Sequence, residues 1–203
     1  MHFCDHGLSK QVDNGRSVLQ TLTGDGTIGF IMVGGTHGRK PILDRFKGKT
    51  AIVTGGSCGI GLAIAIELLR EGATVAITSL PNDKEDGQTA FKNAGFSPLI
   101  LCGDMGDEAF CRKAVARTRE EFCQIDFLIN NAFPFVAKGL HGTRADFERS
   151  LNAGPLAYVT MAQLVSESMK ESGGGAIVNI SSISGFIAQP NRWTYNGAKG
   201  MVN

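Results

Sequence analysis

Tyr195 and Lys199 stand four residues apart, so one helical turn places both side chains on one face. A phenol with a pKa of about 10 is a poor base at neutral pH. A neighbouring ammonium favours the phenolate and brings the group toward the working range of proton transfer. Taken alone, the same pair also fits a solvated helix surface. A second chemical feature lies far upstream, in Thr54-Gly55-Gly56-Ser57-Cys58-Gly59-Ile60-Gly61. Glycines there permit positive φ and let backbone N–H groups approach an anion, and a helix N-terminus adds partial positive charge. The bland alternative is a glycine turn that only allows close packing.

The elements around these residues decide between the readings. Lys49–Gly56 predicts a short buried strand, and Gly59–Arg70 a helix with Ile60, Ala63, Ile64, Leu68 and Leu69 at helical spacing. Strands follow at Ala73–Ser79, Ser97–Cys102, Ile125–Asn130 and Ala176–Ser181, and helices are predicted up to about Ala94, over Asp107–Phe122 and over Arg144–Glu171. Strict β-α alternation with near-continuous apolar strands implies a parallel sheet covered on both faces. Right-handed crossovers make it an α/β doubly wound sheet, Rossmann-type, of order 3-2-1-4-5. Strand, glycines and helix thus occur in the order that a nucleotide pyrophosphate requires.

The TGxxxGxG spacing resembles that of the short-chain dehydrogenase/reductase family. Asn130-Asn131-Ala132 is similar to the family's NNAG turn, Tyr195-Asn196-Gly197-Ala198-Lys199 to its YxxxK signature, and Ser182 lies thirteen residues before Tyr195. The resemblance covers about Lys47 to Asn203. It implies hydride transfer between a nicotinamide cofactor and a carbonyl or alcohol substrate, with Tyr195 as general acid/base. It further implies that Lys199 supports Tyr195 and holds the nicotinamide ribose, that Ser182 hydrogen-bonds the substrate oxygen, and that Asn152 holds a water on the proton path. Thr54, Gly55, Ser57, Cys58, Gly59, Ile60 and Gly61 would cradle the cofactor, with Asp104 and Met105 near the adenine and Asn131 and Ala132 beside the nicotinamide end. Strand two ends in Thr78-Ser79-Leu80-Pro81 with no acid until Asp83. The missing acid removes the group that selects NAD, and Ser79 could donate to a 2′-phosphate, so NADP(H) is preferred and NAD(H) comes second. Lys84 is the first cation that follows it in the sequence.

Composition narrows the rest. Among 203 residues, 20 Lys+Arg face 19 Asp+Glu, with no basic block or stripe, which opposes nucleic-acid binding. Apolar runs break well short of the ~20 residues of a membrane span. Five widely spaced cysteines without a CxxC pair fit reduced thiols in the cytoplasm. His2, Cys4 and His6 lack a second ligand cluster, so no metal is expected. The N-terminus resembles neither a secretory signal nor a transit peptide. Residues 1–46 read as a loosely structured extension with one short strand near Ile28–Val33, ahead of a domain over 47–203.

Two departures from the family pattern stand out. Phe133 occupies the glycine position of the NNAG turn, where its ring either points outward or reshapes the nicotinamide side. The chain also ends at Asn203, four residues after Lys199, so the resemblance implies that later strands and a substrate loop are absent. The expected function is a carbonyl reductase or alcohol dehydrogenase. The alternative is a truncated, inactive dinucleotide-binding or protein-contact module. Homo-oligomers through the long helix and the helix at Tyr195 are a family expectation.

Overall fold

The structure, a computed structural model, describes residues 44–203 throughout and, before them, the backbone of three strands: β1 Ser9–Asp13, β2 Arg16–Leu22 and β3 Ile28–Val33. These strands form an antiparallel sheet in the order β1-β2-β3, within a unit spanning Met1–Pro41. The strand expected at Ile28–Val33 is therefore joined by two others. Asp13 pairs with Arg16, and the intervening Asn14-Gly15 is a dipeptide favoured in two-residue hairpins. His2, Cys4 and His6 lie outside the described residues.

The second unit, Ile42–Asn203, begins before the change of texture at Lys47. The reason is the turn that precedes the first strand. Phe46 donates its N–H to Glu71 O at 2.8 Å and packs edge-on against Phe127, while Arg45 pairs with the buried Glu71.

Elements of this unit follow in strict alternation: β4 Thr50–Val53, α1 Gly59–Arg70, β5 Thr74–Ser79, α2 Lys84–Asn93, β6 Leu99–Cys102, α3 Glu108–Phe122 and β7 Phe127–Asn130. After them come α4 Arg144–Leu151, α5 Ala157–Glu171, β8 Ala176–Asn179 and α6 Trp193–Val202. The parallel sheet has the order β6-β5-β4-β7-β8, which is the expected 3-2-1-4-5. Adjacent residues of a strand bury on opposite faces, and β4 shows the result. Ile52 packs into a cluster with Phe110, Ala114 and Val115 of α3 and Met161 and Val165 of α5. Ala51 and Val53 pack on the other face with Ala65 of α1 and Phe91 of α2.

The single helix expected over Arg144–Glu171 is interrupted. Thr143 and Asp146 form a capping box that starts α4, but Asn152–Leu156 is a wider, π-type turn in which Gly154 leaves helical geometry at φ −106°, ψ −111°. Pro155 supplies no N–H to the helical ladder, so the break follows from the Gly154-Pro155 pair. On the sheet's outer edge, Ile177 and Val178 of β8 point to opposite faces and both are exposed. Among the described residues, no helix is long and apolar enough to cross a membrane.

Beneath the sheet's N-terminal edge, Asp126 is 1% exposed and accepts hydrogen bonds from Lys49 Nζ, Thr50 N and Gln124 Nε2 at 2.8, 2.8 and 2.9 Å. Burial alone would raise its pKa. The Lys49 ammonium, the Thr50 N–H and the Gln124 amide outweigh burial and hold the carboxyl below its ordinary value. A depressed carboxylate stabilises the fold above its unfolded pKa of about 4 and loses that contribution as pH falls through the folded value. Asp126→Ala is expected to cost about 2–3 kcal/mol at neutral pH, because it strands buried donors. Urea denaturation from pH 7 down to pH 2 checks this: the difference between wild type and variant shrinks toward the acid end.

Candidate active site

The turn between β4 and α1 is held from three sides. Thr54 Oγ1 accepts from Asn131 N at 2.9 Å and Ala132 N at 3.0 Å, which clamps the end of β4 to the chain leaving β7. Asn131 Nδ2 returns the tie, donating to Thr54 O and Gly55 O at 2.9 and 3.1 Å. From β5, Thr78 Oγ1 accepts from Gly55 N at 3.1 Å. Gly55 and Gly59 sit at φ +63° and +55°, and a Cβ on Gly61 would come within 2.3 Å of Gly55 O and 2.5 Å of Asn131 Nδ2. Cys58 is the N-cap residue of α1, its side chain does not bond the helix N-terminus, and the first turn carries no acidic residue. Space is open around Gly59, Ile60 is exposed, and Ser57 is buried. Backbone N–H groups at the start of α1 therefore face outward with no carboxylate before them, an arrangement suited to phosphate.

Other residues singled out in the sequence are placed less uniformly. Asp104 is exposed, with Oδ1 accepting from Gly106 N at 2.8 Å. Met105 is buried, and its Sδ receives the Thr78 hydroxyl at 3.3 Å, so its side chain supports the turn from beneath. Ser79 is 3% exposed and donates its hydroxyl proton to Leu80 O at 2.9 Å. Lys84, at the start of α2, is exposed.

The second cluster forms where α6 packs under the end of β8. Lys199 is 3% exposed, and its Nζ donates to Ile180 O at 2.6 Å. The ammonium lies 3.8 Å from the centroid of the Phe133 ring, and 5.8 and 6.0 Å from those of Tyr158 and Tyr195. Burial lowers its pKa from the ordinary lysine value to about 8. Tyr195 is half-buried between Phe133 and Phe135, at centroid distances of 5.5 and 5.0 Å. Ser182 is half-buried and caps the short turn Ile183–Gly185, its Oγ accepting from Ser184 N at 3.2 Å. Thr194 anchors the start of α6 by accepting from Lys138 N at 3.0 Å and donating to Val136 O. Phe133 therefore points inward, settling a question that the sequence left open.

Asn152 does not join this cluster. It is exposed on the π-type turn, and the residue of that turn that faces the cluster is Gly154, where a Cβ would lie 2.7 Å from Phe133 Cε2. Among the described residues no group of three His, Cys, Asp or Glu side chains could hold a metal ion.

A family model described as short chain dehydrogenase matches residues 49–203. The chain belongs to the short-chain dehydrogenase family. Within that family it is 40% identical over 165 residues to the NADP-dependent (R)-specific alcohol dehydrogenase of Lentilactobacillus kefiri, covering 79% of this chain and 65% of that protein. It is 32% identical over 169 residues to 3-hydroxyacyl-CoA dehydrogenase type-2 of Bos taurus, covering 77% and 64%. Among solved short-chain dehydrogenases, a 7α-hydroxysteroid dehydrogenase complexed with NADH and 7-oxo glycochenodeoxycholic acid superposes with a TM-score of 0.72 at 26% identity, covering 78% of this chain and 62% of that one. An NAD+-bound xylitol dehydrogenase gives 0.72 at 29% identity, with the same coverage. The chain thus spans somewhat less than two thirds of the length of these relatives.

Two outcomes follow from the geometry. Gly59→Ala meets open space and carries only the left-handed backbone cost of about 1–2 kcal/mol, whereas Gly61→Ala must displace backbone and is expected to cost about 3 kcal/mol or more. Thermal unfolding of the two variants checks the order. Lys199 binds its proton less tightly folded than unfolded, so wild-type stability rises with pH between about 8 and the unfolded lysine value. Lys199→Met is expected to raise the unfolding midpoint at pH 7, and the gain disappears by about pH 10.5.

Proposed function

We propose that this chain is the dinucleotide-binding and proton-transferring part of an NADP(H)-preferring oxidoreductase, with NAD(H) as the second candidate, acting on a carbonyl or alcohol substrate. The observation that carries this reading is Tyr195, partly accessible, one helical turn from a buried Lys199 in a chain whose β4–α1 turn presents unobstructed N–H groups. The preference for NADP(H) is supported by the missing acid at the end of β5, where Ser79 stands as a candidate 2′-phosphate donor, and by the NADP-dependent relative. A bound nicotinamide cofactor would supply hydride donation and acceptance.

The chain's own residues would do the rest. Gly55, Gly59, Ile60 and Gly61 bring main-chain N–H groups to the pyrophosphate, and Thr54 and Asn131 keep that turn in shape. In reduction, hydride adds to the carbonyl carbon and the Tyr195 hydroxyl gives its proton to the carbonyl oxygen. The phenolate left behind is stabilised by the Lys199 ammonium, which is mostly charged below about pH 8. Lys199 has donors beyond the one bound to Ile180 O, and these suit a ribose hydroxyl. Ser182 would steady the substrate oxygen as charge develops. Asn152, exposed on the π-type turn, would hold a water that continues the proton path. Cysteines such as Cys102 and Cys123, which carry no disulfide, suit a cytoplasmic setting, and self-association through α5 and α6 belongs to the same reading.

A second reading, a dinucleotide-binding module without turnover, is favoured by one observation: Ile177, Val178, Ile183 and Phe186 are exposed beside the cluster. Titration calorimetry with NADPH and NADH, followed by turnover on a panel of ketones and alcohols, separates the two. Under the first reading Tyr195→Phe binds cofactor normally and lowers kcat about 10²–10⁴-fold. Equal rates for wild type and variant would refute Tyr195 as the acid/base, and tight binding without turnover would establish the module.

A further inference from the structure

Phe133 lies between two residues of long polar side chain and a glycine that leaves it room. Pro134 follows it and favours an extended backbone at Phe133. The ring meets Tyr158 and Tyr195 edge-to-face, at interplanar angles of 78° and 84°, so contacts from α5 and α6 hold it on both sides. On a third side it rests over Gly154, the non-helical residue of the π-type turn, where any Cβ would intrude on the ring. The Lys199 ammonium then lies 3.8 Å from the ring centroid, far nearer than to either tyrosine ring. An ammonium has three donors, and among the described residues Ile180 O is its one hydrogen-bond acceptor. Among the described residues no carboxylate faces it. Tyr158 from α5 and Tyr195 from α6 are the titratable groups turned toward it, while Arg192, on the segment before α6, stacks over Phe135.

We propose that Phe133, seated against Gly154, is the positioning residue for Lys199: its ring face substitutes for a counter-ion and fixes the ammonium beneath Tyr195. The inference rests on the oxidoreductase reading only for its consequence in turnover; the contact itself stands without it. A ring face stabilises a desolvated cation and not a neutral amine, so the contact opposes the burial that lowers the Lys199 pKa. The Gly154 position is part of the same device, because a side chain there would push the ring off the ammonium.

The test reads Lys199 directly. Its Nζ titration is followed by heteronuclear NMR in the wild type, in Phe133→Leu, which keeps bulk but has no ring, and in Phe133→Tyr, which keeps the ring face. Phe133→Leu is expected to weaken proton binding at Lys199 about tenfold, moving its titration down by about one pH unit, with Phe133→Tyr restored toward wild type. Gly154→Ala, which displaces the ring without removing it, is expected to move it the same way and serves if Phe133→Leu does not fold. An unchanged Lys199 titration in the folded variant overturns the proposal. pH–rate profiles on the same proteins keep the two readings apart. Turnover in the wild type with an unmoved titration sinks the role of Phe133 alone. A moved titration with no turnover in any form supports Phe133 while removing the oxidoreductase reading.

Discussion

The hydroxyl of Thr54 carries an unusual share of the architecture. It accepts two backbone N–H groups from Asn131 and Ala132, and so joins the ends of the two central strands where the chain must leave the sheet. Each of those N–H groups would otherwise be a partly buried donor without a partner, a cost of about 1–3 kcal/mol apiece. With the strand ends joined, the Asn131 amide reaches back to Thr54 O and Gly55 O and fixes the path of the glycine turn. Gly61 then passes so close beneath that turn that a methyl group finds no room. The outward-facing start of α1 is thus a consequence of the clamp as much as of the glycines. The same clamp sets the departure point of Phe133, two residues after Asn131.

The second cluster is built on a different compromise. Burying an ammonium is unfavourable, and here it is offset by one carbonyl and an aromatic face instead of a carboxylate. A carboxylate would bind the cation more strongly, but it would also neutralise its field at Tyr195. An aromatic face leaves the net positive charge in place. Stability is given up for a charge held near a phenol, the usual bargain at sites where proton transfer is the task.

Much of this was legible in the sequence, for reasons that can be named. The parallel sheet and its order follow from apolar strands alternating with helical periods, and each strand of the second unit falls inside its predicted span. Tyr195 and Lys199 share a helix, so their relation is a local matter that spacing determines. Asn152 was singled out by its match to the family pattern, and the π-type turn that carries it follows from Gly154-Pro155, a break that residue spacing alone does not record. The inward turn of Phe133 depends on room left by a glycine twenty-one residues away in sequence, which no local pattern records.

Ile180 is the first residue beyond β8, and its N–H is bonded to Asn130 O at 2.8 Å. Its carbonyl is the acceptor that both Lys199 and Tyr158 share. The edge strand therefore works as a ruler. Pairing of Asn130 with Asn179 fixes where that carbonyl stands, and a slip of one residue would carry it away by about 3.3 Å and turn its neighbours to the wrong face. The contact of Lys199 with that carbonyl therefore depends on the register of β8. A chain that has closed its core but not seated its edge would have the cradle and lack the charge.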